Sequence, residues 1–351
     1  MGNLDPHQRP PDSIRNVYKK YQKMKPQDLD SDSEILDLSS TLTPTQNSKV
    51  RVVREIDPEQ LTASFRAFAG GGVHRDVSSA SESIAVYEHD GMPGLHIIPS
   101  LLPPDIQLIL LDRLLHRDLA KPSHLTNIHT HYNITYPPSN SSFFSASPRY
   151  PAIIAHPIDA SIHRPIDISQ FLNKKMRWMT LGGQYDWTQK RYPDSSPPSF
   201  PSDIKDLLET TFMDTKAEAA IVNLYSPGDT LSVHRDVAES SATGLISVSL
   251  GCDAIFVIGT STLDTAEESS QNGPSSDEKV LTLRLRSGSA VYMSGPSRFA
   301  WHGVPQIVAG TCPDELKSWP ARDDGLDPLY EEWRGWMGGK RVNLNVRQMW
   351  D

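Results

Sequence analysis

Arg341-Val342-Asn343-Leu344-Asn345-Val346-Arg347 alternates polar and apolar residues without exception. Successive side chains of a strand point to opposite faces, so the segment from Arg341 to Met349 reads as a β-strand. Val342, Leu344 and Val346 form its apolar face, and Arg341, Asn343, Asn345 and Arg347 its polar, cationic one. Such a face is either a solvated sheet surface or a polar interior wall that holds an anion. A guanidinium clasps a carboxylate bidentately, and a second cation nearby stabilises further negative charge.

Working back from this strand, the same reading repeats. Ala220 to Tyr225, Leu245 to Leu250, Ala254 to Ile258, Val280 to Leu285 and Ala290 to Met293 are short β segments separated by turn signals such as Ser226-Pro227-Gly228-Asp229 and Arg286-Ser287-Gly288. Short strands at this spacing predict a sandwich or jelly roll, mainly β with flanking helices. Upstream, Leu95 to Pro99 reads as a strand. Asp105 to Leu115 reads as a helix behind Pro103-Pro104, and Ile204 to Phe212 as another short helix. Residues 122–165 read as more loop than element. Two polar interruptions, 261–279 and 307–340, are long enough to be either functional or disordered.

We divide the chain into 1–85, 86–217 and a β-rich core at 218–351. Residues 1–85 are rich in Pro, Ser and Asp and are expected to be largely disordered or extended. The exception is Ser13 to Lys23, where Ile14, Val17, Tyr18 and Tyr21 recur at helical spacing and predict a short amphipathic helix.

With 351 residues and 37% hydrophobic content, the chain can bury a sizeable core. No apolar run is long enough for a membrane span, and there is no secretory signal, so the expectation is an intracellular protein without a membrane partner, read as a monomer. Arg15, Lys19, Lys20 and Lys23 are too interrupted to choose among nucleus, cytoplasm and mitochondrion. The 2 cysteines, Cys252 and Cys312, make neither a disulfide framework nor a zinc quartet. A net charge of −9 argues against a surface basic overall. Between residues 161 and 192, however, Arg164, Lys174, Lys175, Arg177, Lys190 and Arg191 face only Asp167 and Asp186.

His-Arg-Asp occurs at 74–76, 116–118 and 234–236, so the tripeptide alone decides nothing. The first lies in low-complexity sequence beside Gly70-Gly71-Gly72. The second resembles a kinase catalytic loop, but Ser123 stands where that loop needs Asn; it reads as the exposed end of a helix. The third opens the densest β region. In extended chain His234 and Asp236 share a face while Arg235 points away. With His302, in Ser297-Arg298-Phe299-Ala300-Trp301-His302-Gly303 directly after a strand, they make two imidazoles and one carboxylate. That set leaves three positions of an octahedral ion open, as an Fe(II) oxygenase needs for a bidentate co-substrate and dioxygen. The Arg341 and Arg347 face then suits 2-oxoglutarate, a dianion, with Asn223 and Tyr225 adding hydrogen bonds.

Taken together, Asn223-Leu224-Tyr225, Leu231-Ser232-Val233-His234-Arg235-Asp236, Ile246-Ser247-Val248-Ser249-Leu250-Gly251, Ser294-Gly295-Pro296-Ser297-Arg298 with His302-Gly303, and Arg341-x-Asn343-x-x-x-Arg347-Gln348 resemble the AlkB family. The resemblance covers residues 170–351, and Gly94 to Pro99 with Leu102-Pro103-Pro104 resembles the eukaryotic branch typified by the first human AlkB homologue. It implies a double-stranded β-helix with an N-terminal nucleotide-recognition lid, placed within 86–217. It also implies oxidative N-demethylation of methylated RNA or DNA with Fe(II), 2-oxoglutarate and O2. Residue by residue, it implies His234, Asp236 and His302 as metal ligands. Arg341, with Asn223 and Tyr225, would meet the distal carboxylate of 2-oxoglutarate, Asn343 would lie on the same wall, and Arg347 would stand near the iron end. Trp187 would stack on the flipped base with Tyr192 on its phosphate side. Where the bacterial enzyme has an acidic residue contacting the base, this chain has Ala238. A protein hydroxylase or demethylase with the same iron chemistry is the alternative reading.

Overall fold

The computed structural model describes residues 4–5, 8–70, 82–185, 192, 196–260, 279–322 and 328–350. In chain order the strands are β1 Ile35–Leu36, β2 Val50–Ile56, β3 Ile84–His89, β4 Leu95–Ile98, β5 Tyr132–Ile134, β6 Ile153–Pro157, β7 Ile166–Asp167 and β8 Trp178–Gly182. They continue with β9 Ala219–Tyr225, β10 Leu231–His234, β11 Leu245–Gly251, β12 Ala254–Thr260, β13 Lys279–Leu285, β14 Ala290–Met293, β15 Trp301–Ile307 and β16 Arg341–Arg347.

A large sheet has the order β2-β3-β4-β14-β11-β16-β9-β8, and a smaller one the order β1-β13-β12-β15-β10. From β9 onward the chain crosses between these two sheets at every connection except β12 to β13. All of these core pairings are antiparallel. This is the winding of a jelly roll, and it explains why polar and apolar residues alternate so strictly. Val342 and Leu344 of β16 and Ile246 and Val248 of β11 join one apolar core with residues of three helices. With α1 as Asp12–Lys23, these three are α2 (Pro58–Ala69), α3 (Pro104–Leu111) and α4 (Ser202–Thr211). The opposite faces of β11 and β16 carry Ser247, Ser249, Asn343 and Asn345, and form a polar wall.

The N-terminal region differs from the expectation of a largely disordered or extended chain. Besides α1 and α2 it supplies β1, which pairs with β13, and β2, which extends the large sheet. Helix α1 buries Ile14, Tyr18 and Tyr21, and Ile14 and Tyr21 share a second core with Leu29, Ile35, Ile255, Val257, Trp301 and Val308. Few apolar residues are needed because the smaller sheet already offers an apolar outer face. Helix α2 is closed at its start by the Asp57 carboxylate, which accepts from Glu59 and Gln60 N–H, and at its end by Gly70 at φ +91°.

One further expectation is corrected, that of the 116–118 triplet, and two stretches read as loop gain structural detail. Residues 122–165 contain β5 and β6 of a small separate sheet with β7. The 116–118 triplet ends a π-helical continuation of α3, yet Asp118 is fully buried rather than exposed, bridged by Arg117 and Lys121. Over its described residues the 307–340 segment is packed: Trp319, Trp333 and Trp336 surround the Phe144 ring at 5.1–5.4 Å between centroids. The His74-Arg75-Asp76 triplet, nearly all of the 261–279 insertion, and Trp187, Lys190 and Arg191 lie outside the described residues.

Candidate metal centre and co-substrate wall

Strands β10 and β15 pair so that His234 lies directly opposite His302. Cross-strand partners point their side chains to the same face, which brings the two rings to 4.5 Å between centroids. Asp236 follows two residues after His234, beyond the end of β10, and turns back toward both rings. Its carboxylate stands 3.9 Å from His234 Nε2 and 3.6 Å from His302 Nε2. Among the described residues this is the one group of three potential ligands whose donor atoms all lie within 4.8 Å of one another. His302 is the second residue of β15; a turn separates it from β14, so it does not directly follow that strand.

Each imidazole is oriented by its own backbone. His234 Nδ1 lies 2.9 Å from Ser232 O, and His302 Nδ1 lies 3.0 Å from Ala300 O. A carbonyl only accepts, so both Nδ1 atoms carry a proton, and both Nε2 atoms are turned toward Asp236. Burial, with the neighbouring His234, lowers the His302 pKa to about 4, so it is a neutral donor at physiological pH. Burial disfavours the Asp236 carboxylate, but the Arg347 guanidinium and both histidines outweigh it and hold its pKa well below the usual range. Two imidazoles and a carboxylate, converging without hydrogen bonds among them, fit a divalent ion with open positions. His234 is the solvent-facing ligand, its side chain 36% exposed against 6% for His302.

The polar wall lies on the large sheet. Arg341 is register partner of Tyr225 and Gly251, Asn343 of Asn223 and Ser249, and Asn345 of Ile221 and Ser247. Arg341 is 1% exposed and donates to Ser249 Oγ at 2.7 Å and Cys252 O at 3.1 Å. No carboxylate pairs with it among the described residues, its Nε has no partner, and burial lowers its pKa to about 10. The buried Tyr225 hydroxyl has no partner either, and burial raises its pKa. A buried cation and a buried hydroxyl, both unsatisfied on one wall, fit the carboxylate of a bound anion. Asn343 Nδ2 donates to Ser247 Oγ at 2.9 Å and Val248 O at 3.1 Å.

Arg347, at the far end of β16, stands 3.6 Å from Asp236 Oδ1. Its Nη1 donates to Glu239 Oε1 at 2.9 Å, and Arg298 Nη2 donates to Glu239 Oε2 at 3.1 Å. Arg298 also holds Asp236 O at 2.9 Å and Thr243 O at 2.7 Å. Glu239 was not among the residues singled out from sequence, and Arg298 was quoted only as part of a motif. A carboxylate three residues after Asp236 was the available signal. The Tyr192 phenol lies beside Arg347 rather than facing outward, with burial raising its pKa and the guanidinium opposing that. Arg235 does point away from the centre: its guanidinium covers the Trp301 ring at 4.3 Å and bonds Gln8 ahead of α1. From the basic stretch, Arg177 is committed to a bidentate bond with Asp229 at 2.6 Å.

Residues 137–347 match the sequence profile of the 2OG-Fe(II) oxygenase superfamily. The chain is 44% identical over 362 aligned positions to a protein of Pyricularia oryzae named N6-methyladenosine RNA demethylase ALKB1, covering 99% of this chain and 98% of that one. It is 48% identical over 238 positions to the N6-methyladenosine RNA demethylase ALKBH of Cryphonectria parasitica, covering 68% and 99%. To the tRNA demethylase abh1 of Schizosaccharomyces pombe it is 38% identical over 274 positions, covering 75% and 82%.

Proposed function

The chain belongs to the 2OG-Fe(II) oxygenase superfamily, in its AlkB-like branch, and on that footing we propose that it oxidatively removes N-methyl groups from methylated adenine in RNA or DNA. The observation that carries the reading is the convergence of His234, Asp236 and His302 on one point, in the same fold as a large-sheet wall on which the buried Arg341 Nε and Tyr225 hydroxyl have no partner among the described residues. Two relatives named as N6-methyladenosine RNA demethylases and one named as a tRNA demethylase favour RNA carrying N6-methyladenine as the first substrate to try. N1-methyladenine and DNA are the next.

His234, Asp236 and His302 would hold Fe(II), the histidines through Nε2 and Asp236 through its carboxylate. Arg341 and the Tyr225 hydroxyl hold the distal carboxylate of 2-oxoglutarate, with Asn223 and Asn343 completing the wall. Arg347 supplies positive charge at the metal end. When bound, iron with 2-oxoglutarate would supply the oxygen activation needed to hydroxylate an N-methyl carbon. Each methyl lost consumes one O2 and one 2-oxoglutarate and yields one formaldehyde, one succinate and one CO2. The polar wall fixes the co-substrate in a single pose, while the exposed edge of His234 leaves the approach on its side to the methylated base. Following the family pattern, Trp187 stacks on that base, and Tyr192 lines the site beside Arg347.

The test is formaldehyde and succinate release with Fe(II), 2-oxoglutarate and ascorbate on oligonucleotides carrying N6-methyladenine or N1-methyladenine, each as RNA and as DNA. Loss of methyl from one of these, absent in His234→Ala, is the expected result. Succinate formed with every methyl retained would sink the nucleic-acid reading and keep the iron chemistry.

A further inference from the structure

We propose that Glu239 is a positioning residue that holds Arg347 away from Asp236, leaving the Asp236 carboxylate free for the metal. The proposal rests on the reading of His234, Asp236 and His302 as the metal centre.

The Glu239 side chain is 0% exposed, and its two oxygens are divided between two guanidiniums that are themselves buried, 1% exposed for Arg298 and 4% for Arg347. A carboxylate so enclosed is stable only while both cations are engaged. The same Arg347 Nη1 has a second acceptor within reach, Asp236 Oδ1, at 3.6 Å against 2.9 Å for Glu239 Oε1. The guanidinium therefore bonds Glu239 and only approaches Asp236. Arg298 fixes the other side of the arrangement. It holds the backbone carbonyl of Asp236 and that of Thr243, and it lies four residues before His302. Through this one carboxylate, three elements keep their spacing: the loop that follows Asp236, the approach to β15, and the end of β16.

Neutralising Glu239 leaves two buried guanidiniums without their shared carboxylate, and the other carboxylate within reach of Arg347 is Asp236. Arg347 then gains more from a direct bond to Asp236 than from a neutral amide, and the oxygen it takes is one the metal needs. A purely structural role for Glu239 would lower the stability of the fold and leave the metal affinity of the folded protein as it was. A positioning role changes that affinity through Arg347.

The experiment titrates Mn(II) into the full chain and follows the free ion by electron paramagnetic resonance, for the native protein, Glu239→Gln, Arg347→Leu and Glu239→Gln/Arg347→Leu. Circular dichroism establishes that each is folded. Outer-sphere partners of metal ligands typically change affinity about 10–100-fold. Glu239→Gln is expected to weaken Mn(II) binding by about that range, and adding Arg347→Leu to recover most of the loss, because the guanidinium that would occupy Asp236 is gone. Should Glu239→Gln not fold, Glu239→Asp keeps the charge but is one methylene too short to reach both cations, and it carries the same comparison. Unchanged Mn(II) affinity in the folded single variant, or a double variant that binds no better than the single, overturns the proposal. A native chain that binds Mn(II) but demethylates no nucleic acid sinks the demethylase and leaves this inference standing. A native chain that binds no Mn(II) ends both the metal reading and this one.

Discussion

Arg341 and Tyr225 are register partners across β16 and β9, and each carries a buried polar atom with no partner among the described residues, Nε of the one and the hydroxyl of the other. Interior polar atoms are rarely left so unless a ligand, an ion or a water satisfies them. Arg341→Met is therefore expected to raise KM for 2-oxoglutarate by about 10–100-fold, matching the roughly 1.5–3 kcal/mol of a hydrogen bond to a charged group. Mn(II) affinity should stay within about twofold, since Arg341 does not touch the metal ligands. Steady-state kinetics in 2-oxoglutarate, paired with the Mn(II) titration, separates the two.

A second expectation concerns pH. His116 is stacked between Tyr330 and Trp319, at 4.3 and 4.9 Å between ring centroids, and burial lowers its pKa to about 4 from the ordinary 6.5. The depressed value means that the unfolded chain takes up a proton before the folded one. Stability from this group is complete above about 6.5 and is lost as pH falls toward 4. Between pH 7.5 and 5 the native protein should lose about 2 kcal/mol more than His116→Phe, read from urea midpoints at both pH values. An equal loss in both proteins would contradict the assignment.

The docking of α1 is testable at one point of contact. A Cβ added at Gly259 would meet Ile14 Cδ1 and Cγ1 at 2.8 Å. Gly259→Ala is expected to cost about 1–3 kcal/mol, as overpacking does. In an Ile14→Ala background most of that cost should disappear, because the side chain it pushes against has been shortened. Additive costs in the double variant would place the strain elsewhere, against Lys279 O at 3.0 Å.

Much of the centre was legible because its residues sit on strands, where alternation converts spacing into direction. The faces of β16 follow from the sequence of Arg341 to Arg347, and the register partners of Arg341 and Asn343 place Tyr225 and Asn223 beside them. His234 and Asp236 were legible for a partly different reason. The strand ends at His234, and the two side chains converge through the irregular chain that follows. Glu239 was not legible, since its partners lie 59 and 108 residues further on and no local pattern marks a buried carboxylate between two arginines. The N-terminal region was misread because its composition is polar throughout. Its anchors, Ile14, Tyr21, Leu29 and Ile35, are widely spaced and gain their burial from Ile255, Val257 and Trp301 of the smaller sheet. Composition reports what a segment can bury alone, not what another surface can bury with it.

The central claim is that one iron ion and one 2-oxoglutarate bind together between the His234, Asp236 and His302 trio and the Arg341 wall. The most direct measurement is an anaerobic titration of 2-oxoglutarate into the Fe(II)-loaded chain, followed by the visible charge-transfer absorption that arises when a 2-keto acid chelates Fe(II). The account predicts saturation at one 2-oxoglutarate per iron and one iron per chain, with no absorption from His234→Ala. An absorption that persists in His234→Ala, or a native chain that never develops one, would contradict it.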